Sequence, residues 1–173
     1  EIFQLGVIEG DRQGLSPFEL NAKQSVALVD DISEINFSSN EAWEQACIEN
    51  GVAEVTLDTS EQFVPQLLNL DINEVGVSFT KGCYPGQEVV ARLHYLGKSK
   101  RRMRQFECEG EVDVGDELVV VGSKSAKASG IVVRRVKLGA KSSFLATVEV
   151  AHEDDKITLN DADGIELTRV VHG

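Results

Sequence analysis

Lys81-Gly82-Cys83-Tyr84-Pro85-Gly86-Gln87-Glu88 sets a cysteine between two glycines, beside a lysine and just ahead of a proline. Proline favours the first position of a helix, where its missing N–H leaves nothing unpaired. Val89, Val90, Leu93 and Leu96 follow at helical spacing, as an amphipathic helix requires. The spacing predicts a helix opening at Pro85, with Cys83 at or just before its N-terminus. Free backbone N–H groups and the helix macrodipole favour a thiolate at such a position, and Lys81 and Arg92 add positive charge. A thiol placed this way suits reaction or binding; the competing reading is a small buried hydrophobe between the glycines. Gly82 and Gly86 fit tight turns or close backbone approach. Gln87 and Glu88 either satisfy helix-start N–H groups or recognise a ligand. Tyr84 is either a packing residue or a pocket wall.

Working upstream, Ser38-Ser39-Asn40 supplies an N-cap for a helix running from Glu41 to Asn50 and ended by Gly51, following the usual start and stop signals. Trp43, Ala46, Cys47 and Ile48 fall near one face of it. Val26-Ala27-Leu28-Val29 suits a buried strand, and Ile35-Asn36-Phe37 alternates like another. Residues 52–80 form an extended connection in which Pro65 limits any helix, with Ser78-Phe79 ending a short strand before the cysteine motif. Downstream of Gly97 the pattern changes to short strands between turn signals: Arg102–Cys108, Glu117–Val121, Gly130–Lys137, Ser143–Val150 and Ile165–Val170. Strands at this spacing suggest a small closed or partly open β-barrel, its interior filled by Phe106, Leu118, Val120, Val132, Leu145 and Val148.

The charge is uneven. Of a net −12, residues 1–80 carry 15 acidic residues against two basic ones, Arg12 and Lys23, whereas residues 81–173 carry 15 basic and 14 acidic. An acidic front half repels a nucleic-acid backbone. The run Lys98-x-Lys100-Arg101-Arg102-x-Arg104 either attracts phosphates or a polyanionic tail, or is a charged linker or protected edge strand. Only Phe106 and Phe144 lie in the barrel segment, too few for a base-stacking platform, so direct nucleic-acid binding is not expected. No run of about 18 apolar residues exists to span a membrane. Three cysteines without a CxxC pair suit a reducing compartment, which points to the cytoplasm. His94, His152 and His172 do not group with the cysteines at metal spacing, so no metal site is expected. Glu153-Asp154-Asp155 lacks an EF-hand loop pattern.

Lys-Gly-Cys-Tyr-x-Gly-Gln-Glu followed by Val89-Val90-Ala91-Arg92 resembles the signature of the YgfZ family of folate-binding proteins. The likeness extends upstream through Thr59-Ser60-Glu61-Gln62-Phe63-Val64-Pro65-Gln66, Leu68-Asn69-Leu70-Asp71 and Gly76-Val77-Ser78-Phe79, and downstream through Leu96-Gly97-Lys98. It covers about residues 40–105. The resemblance implies an α+β fold similar to the aminomethyltransferase T-protein of the glycine cleavage system. Residues 1–96 would then form part of a folate pocket and residues 97–173 a C-terminal barrel, with a further N-terminal region ahead of Glu1. It also implies tetrahydrofolate or a derivative as ligand, and as partners iron–sulfur assembly proteins or cluster-dependent tRNA-modifying proteins. The implied role is accessory, in cluster assembly or repair and thereby tRNA modification. The alternative is a folate-dependent aminomethyl transferase, so whether the chain is an enzyme stays open. Trp43 is either a core anchor or, as its spacing from the cysteine motif in the family implies, a flat wall for the pterin. Cys83 would serve as a redox thiol or transient cluster ligand. One cysteine cannot enclose an iron–sulfur cluster, which takes four ligands, so any cluster would be bridged or borrowed from a partner.

Overall fold

A computed structural model of the chain describes residues 3–8, 18–19, 24–29, 31, 33, 39–72, 76–123 and 128–171. The N-terminal strands β1 (Phe3–Ile8), β2 (Phe18–Glu19) and β3 (Gln24–Val29) form an antiparallel sheet in the order β1-β3-β2. The strand expected at Val26–Val29 forms the last four residues of β3, and that expected at Ile35–Phe37 lies outside the described residues.

Helix α1 spans Asn40–Glu49. Ser39, one of the three capping residues offered, stands at its N-cap in extended backbone but makes no side-chain cap bond, and the helix opens at Asn40, one residue before Glu41. Its C-terminus is firmly closed. Gly51, with φ of +65°, donates its N–H to Ile48 O (3.1 Å), and Val52 donates to Cys47 O (2.8 Å). These are the two bonds of a Schellman motif, which needs a left-handed residue where the glycine stands. Cys47 and Ile48 are buried, and Gln24 Nε2 donates to Cys47 Sγ (3.2 Å), tying β3 to α1.

The connection that follows holds two short 3-10 turns, Leu57–Thr59 and Pro65–Leu68. Pro65 opens the second, as its fixed φ and missing N–H allow. Ser78-Phe79 ends no strand, contrary to expectation: the Phe79 ring stacks on His94 instead (centroids 3.9 Å, 20° between planes). Helix α2 spans Gln87–Leu96, so it opens two residues later than Pro85. Gly86 is the N-cap with φ of +83°, a left-handed turn that a helix interior excludes. Pro85 therefore belongs to the turn before the helix.

The remaining strands are β4 (Arg101–Glu109), β5 (Glu117–Val120), β6 (Gly130–Leu138), β7 (Lys141–Glu149), β8 (Ile157–Leu159) and β9 (Glu166–Val170). They close an antiparallel barrel in the order β4-β7-β6-β5-β8-β9. All five expected strands are present, with boundaries shifted by a residue or two. β8 is additional: it has three residues, all buried, and so shows no alternation to read.

Two apolar clusters hold the fold. One fills the barrel with Phe106, Phe144, Leu118, Val120, Val132, Val148, Ile157 and their neighbours. The other lies on the barrel's outer face, where Ile48 of α1 and Leu68 of the second 3-10 turn meet Met103, Val133, Val136 and Leu145. Leu145 therefore does not fill the interior as expected. Adjacent strand residues point to opposite faces, and Phe144 takes the inner position. A register shift between Val132 and Arg134 marks a bulge in β6. It lets consecutive residues Val133 and Arg134 both meet the outer layer, as an extra residue in a strand does.

Candidate functional site

The cysteine motif sits at the end of a chain of contacts that starts in the barrel. Arg102 of β4 forks onto the largely buried Asp71, with NH1 donating to Oδ1 and NH2 to Oδ2 (3.0 Å), and NH1 also donates to Gln66 O (3.0 Å). Asn69 Nδ2 donates to Met103 O (2.9 Å), on the same strand. Burial pushes the Asp71 carboxyl up, but the hydrogen bonds and charge of Arg102 outweigh it and hold the group below the usual carboxylate range. These bonds bracket segment 65–72 onto β4.

The segment in turn holds α2. The Gln66 side chain is fully buried, and its Nε2 donates to Val90 O in the middle of the helix (2.7 Å). Its Oε1 is buried with no hydrogen-bond partner, an arrangement that costs roughly 1–3 kcal/mol. The amide cannot be turned round to relieve this, because Val90 O accepts only. Gly76 closes the loop beyond. Val77 N–H bonds to Leu70 O, and a Cβ on Gly76 would stand 1.7 Å from that same oxygen, so no other residue fits.

From Phe79, stacked on His94 and edge-on to Tyr95 in the third turn of α2, the chain returns to Gly86 at the helix start. The loop 80–86 that makes this return is exposed throughout. Cys83 is exposed on it, three residues before the N-cap. Lys81, Gly82, Glu88 and Arg92 are also exposed, as is Tyr84 at 40 %, which places Tyr84 outside both core clusters. Gln87 turns back to accept the Tyr84 N–H on Oε1 (3.3 Å), a backbone group two residues ahead of the N-cap and not one of the helix's own first N–H groups. The other two cysteines are buried. Burial pushes the thiol of Cys47 up, opposed in part by Arg134, and burial alone pushes up that of Cys108. Among the described residues no group of three or more His, Cys, Asp or Glu is arranged to hold a metal ion.

Trp43 lies on α1, half-buried. Three clefts among the described residues, of about 360, 300 and 410 Å³, are lined by residues other than Trp43 and Cys83. The cleft beside α1 is built around an ion pair that the sequence did not disclose. Arg134, its side chain 8 % exposed, donates from Nε to Glu44 Oε2 (2.7 Å) and from NH2 to Glu44 Oε1 (3.0 Å), and from NH1 to Val52 O (3.2 Å). Glu54 stands 3.4 Å away. No sequence pattern links residues 90 apart; the available signal was an arginine set directly after the apolar run Ile131-Val132-Val133.

The basic run is largely neutralised within the fold. Arg101 pairs with Glu149, Arg102 with Asp71, and Arg104 with Glu153, which also meets Arg169. Lys98 and Lys100 remain as exposed cations. No helix among the described residues is long and apolar enough to cross a membrane.

No family model matches the chain. Individual proteins do. It is 36 % identical over 141 residues to an uncharacterized protein of Haemophilus influenzae, covering 78 % of this chain and 50 % of that one. It is 34 % identical over 139 residues to the tRNA-modifying protein YgfZ of Hamiltonella defensa, covering 78 % of this chain and 40 % of that protein. With the tRNA-modifying protein YgfZ of Colwellia psychrerythraea it shares 53 % identity over 66 residues, 38 % of this chain and 20 % of the other. The chain thus spans half or less of the length of these curated relatives.

Proposed function

This chain belongs to the YgfZ family, and from that premise we propose that it acts in tRNA modification as a folate-binding accessory protein. It does so by supporting iron–sulfur cluster assembly or repair in the cytoplasm, within a T-protein-like arrangement. The observation that carries this reading is Cys83: of three cysteines it alone is exposed, on a loop whose helix is fastened to a buried bracket. Cys83 presents a soft ligand or redox thiol outward, to a cluster held by a partner protein, since a single thiolate does not enclose one. Tetrahydrofolate or a derivative is the proposed small ligand, with the exposed part of Trp43 as a wall for its ring.

The test has two arms. Titration with tetrahydrofolate is expected to change Trp43 fluorescence saturably, and a flat titration removes folate from the proposal. Cys83→Ser keeps size while weakening nucleophilicity and metal affinity. It is expected to fold and bind folate as the parent does but to lose support of cluster-dependent tRNA modification in cells that depend on this protein. Full activity with Cys83→Ser ends the proposed role of the thiol.

A further inference from the structure

Helix α2 is weakly held. Of its ten residues only Val90 is buried, while Val89, Tyr95 and Leu96 are 60, 67 and 83 % exposed. Apolar burial is what ordinarily fixes a helix in place, and here there is little. One buried directional contact compensates: the Gln66 Nε2 bond to Val90 O. As a stabilising device glutamine is a poor choice at this position, because its Oε1 is left buried without a partner. A methionine of similar volume would fill the space with no unpaired group. What methionine would not supply is direction.

We infer that Gln66 is a positioning residue: it pins α2, and through it the Cys83 loop, to the bracket formed by Arg102–Asp71 and Asn69–Met103 on barrel strand β4. Without the bond, α2 keeps the Val90 contact but loses the one buried interaction that sets its rotation and register against the 3-10 turn. The loop before Gly86 then samples a wider range of positions relative to the barrel. The relevance of that spread to activity rests on the reading of Cys83 given above; the positional claim does not.

The test uses Gln66→Met in the full chain. Cys83, the sole exposed cysteine, takes one nitroxide label, and Lys141→Cys, on exposed residue 141 at the start of β7, takes the second. The expected results are a broader label-to-label distance distribution and amide exchange in α2 faster by up to about tenfold, the factor set by one hydrogen bond. The urea midpoint is expected to stay the same or rise. This split between local loosening and retained global stability separates positioning from a merely structural role. Unchanged distances and exchange overturn the inference. So does a fallen midpoint or a variant that does not fold, because the inference requires stability to survive. Cys83→Ser, assayed separately for tRNA modification, reports on the thiol's role alone, so each idea fails on its own measurement.

Discussion

Three cysteines of one chain have three different surroundings, and reactivity follows from them. Cys47 packs under Gln24 within the layer on the barrel, Cys108 belongs to the barrel core, and Cys83 stands on an exposed loop. Thiol alkylation needs both access and thiolate. The buried pair, with thiols pushed up by desolvation, must wait for local opening. Timed iodoacetamide labelling with mass spectrometry is expected to modify Cys83 first and the others only as the protein unfolds. Equal rates in the native protein would remove Cys83's special status. The burial of Cys47 was legible beforehand, because it falls on the apolar face of a helix; for Cys83 the sequence left a reactive thiol and a buried hydrophobe both open, and its exposure excludes the second. Arg134 was not legible. Its place depends on Glu44 of α1 arriving against β6, a tertiary event between distant segments.

Among elements, the segment from Gln62 to Asp71 is the one that changed meaning. Its residues could be matched to a family signature, yet as a sequence it is only a proline-interrupted connection. In the fold it is a bracket, gripping β4 through Arg102–Asp71 and α2 through Gln66. Since Asp71 lies below its usual value in the fold, it contributes stability that is fully present above the unfolded carboxyl value of about 3.9. That contribution is lost as pH falls through the lower folded value. Asp71→Asn is therefore expected to lower the urea midpoint at pH 7. Its gap to the parent should close as pH drops below about 4. A gap independent of pH would mean that the side chain acts by shape and not by charge. The start of α2 teaches a smaller lesson. Pro85 is a fair helix opener on its own, but the left-handed Gly86 after it moves the boundary to Gln87.

At the scale of the molecule, a closed barrel carries α1 and the Pro65–Leu68 turn on its outer face, and neighbouring residues of β7 serve different layers. Phe144 lies inside with Phe106, whereas Leu145 meets Ile48 and Leu68 outside. Each truncation to alanine is expected to cost about 2–5 kcal/mol, but in different places. Phe144→Ala should speed amide exchange across the barrel strands, and Leu145→Ala should do so first in α1 and the 65–72 segment. Matching exchange patterns for the two variants would merge the layers into one cooperative unit. The amino-acid sequence by itself determined five of the six barrel strands, the span of α1 to within a residue and the place of Cys83 just ahead of a helix; the α+β class came with the family resemblance, and the exposure of Cys83 came only with the fold. Turn residues, period and caps act over a few neighbouring residues and can be read there. Only the tertiary structure decided barrel closure, the outward side of Leu145, the strand β8 and the ion pairs that consume the arginines. Each of these depends on which distant surface comes to face a residue, and a strand buried on both faces carries no alternation to reveal it.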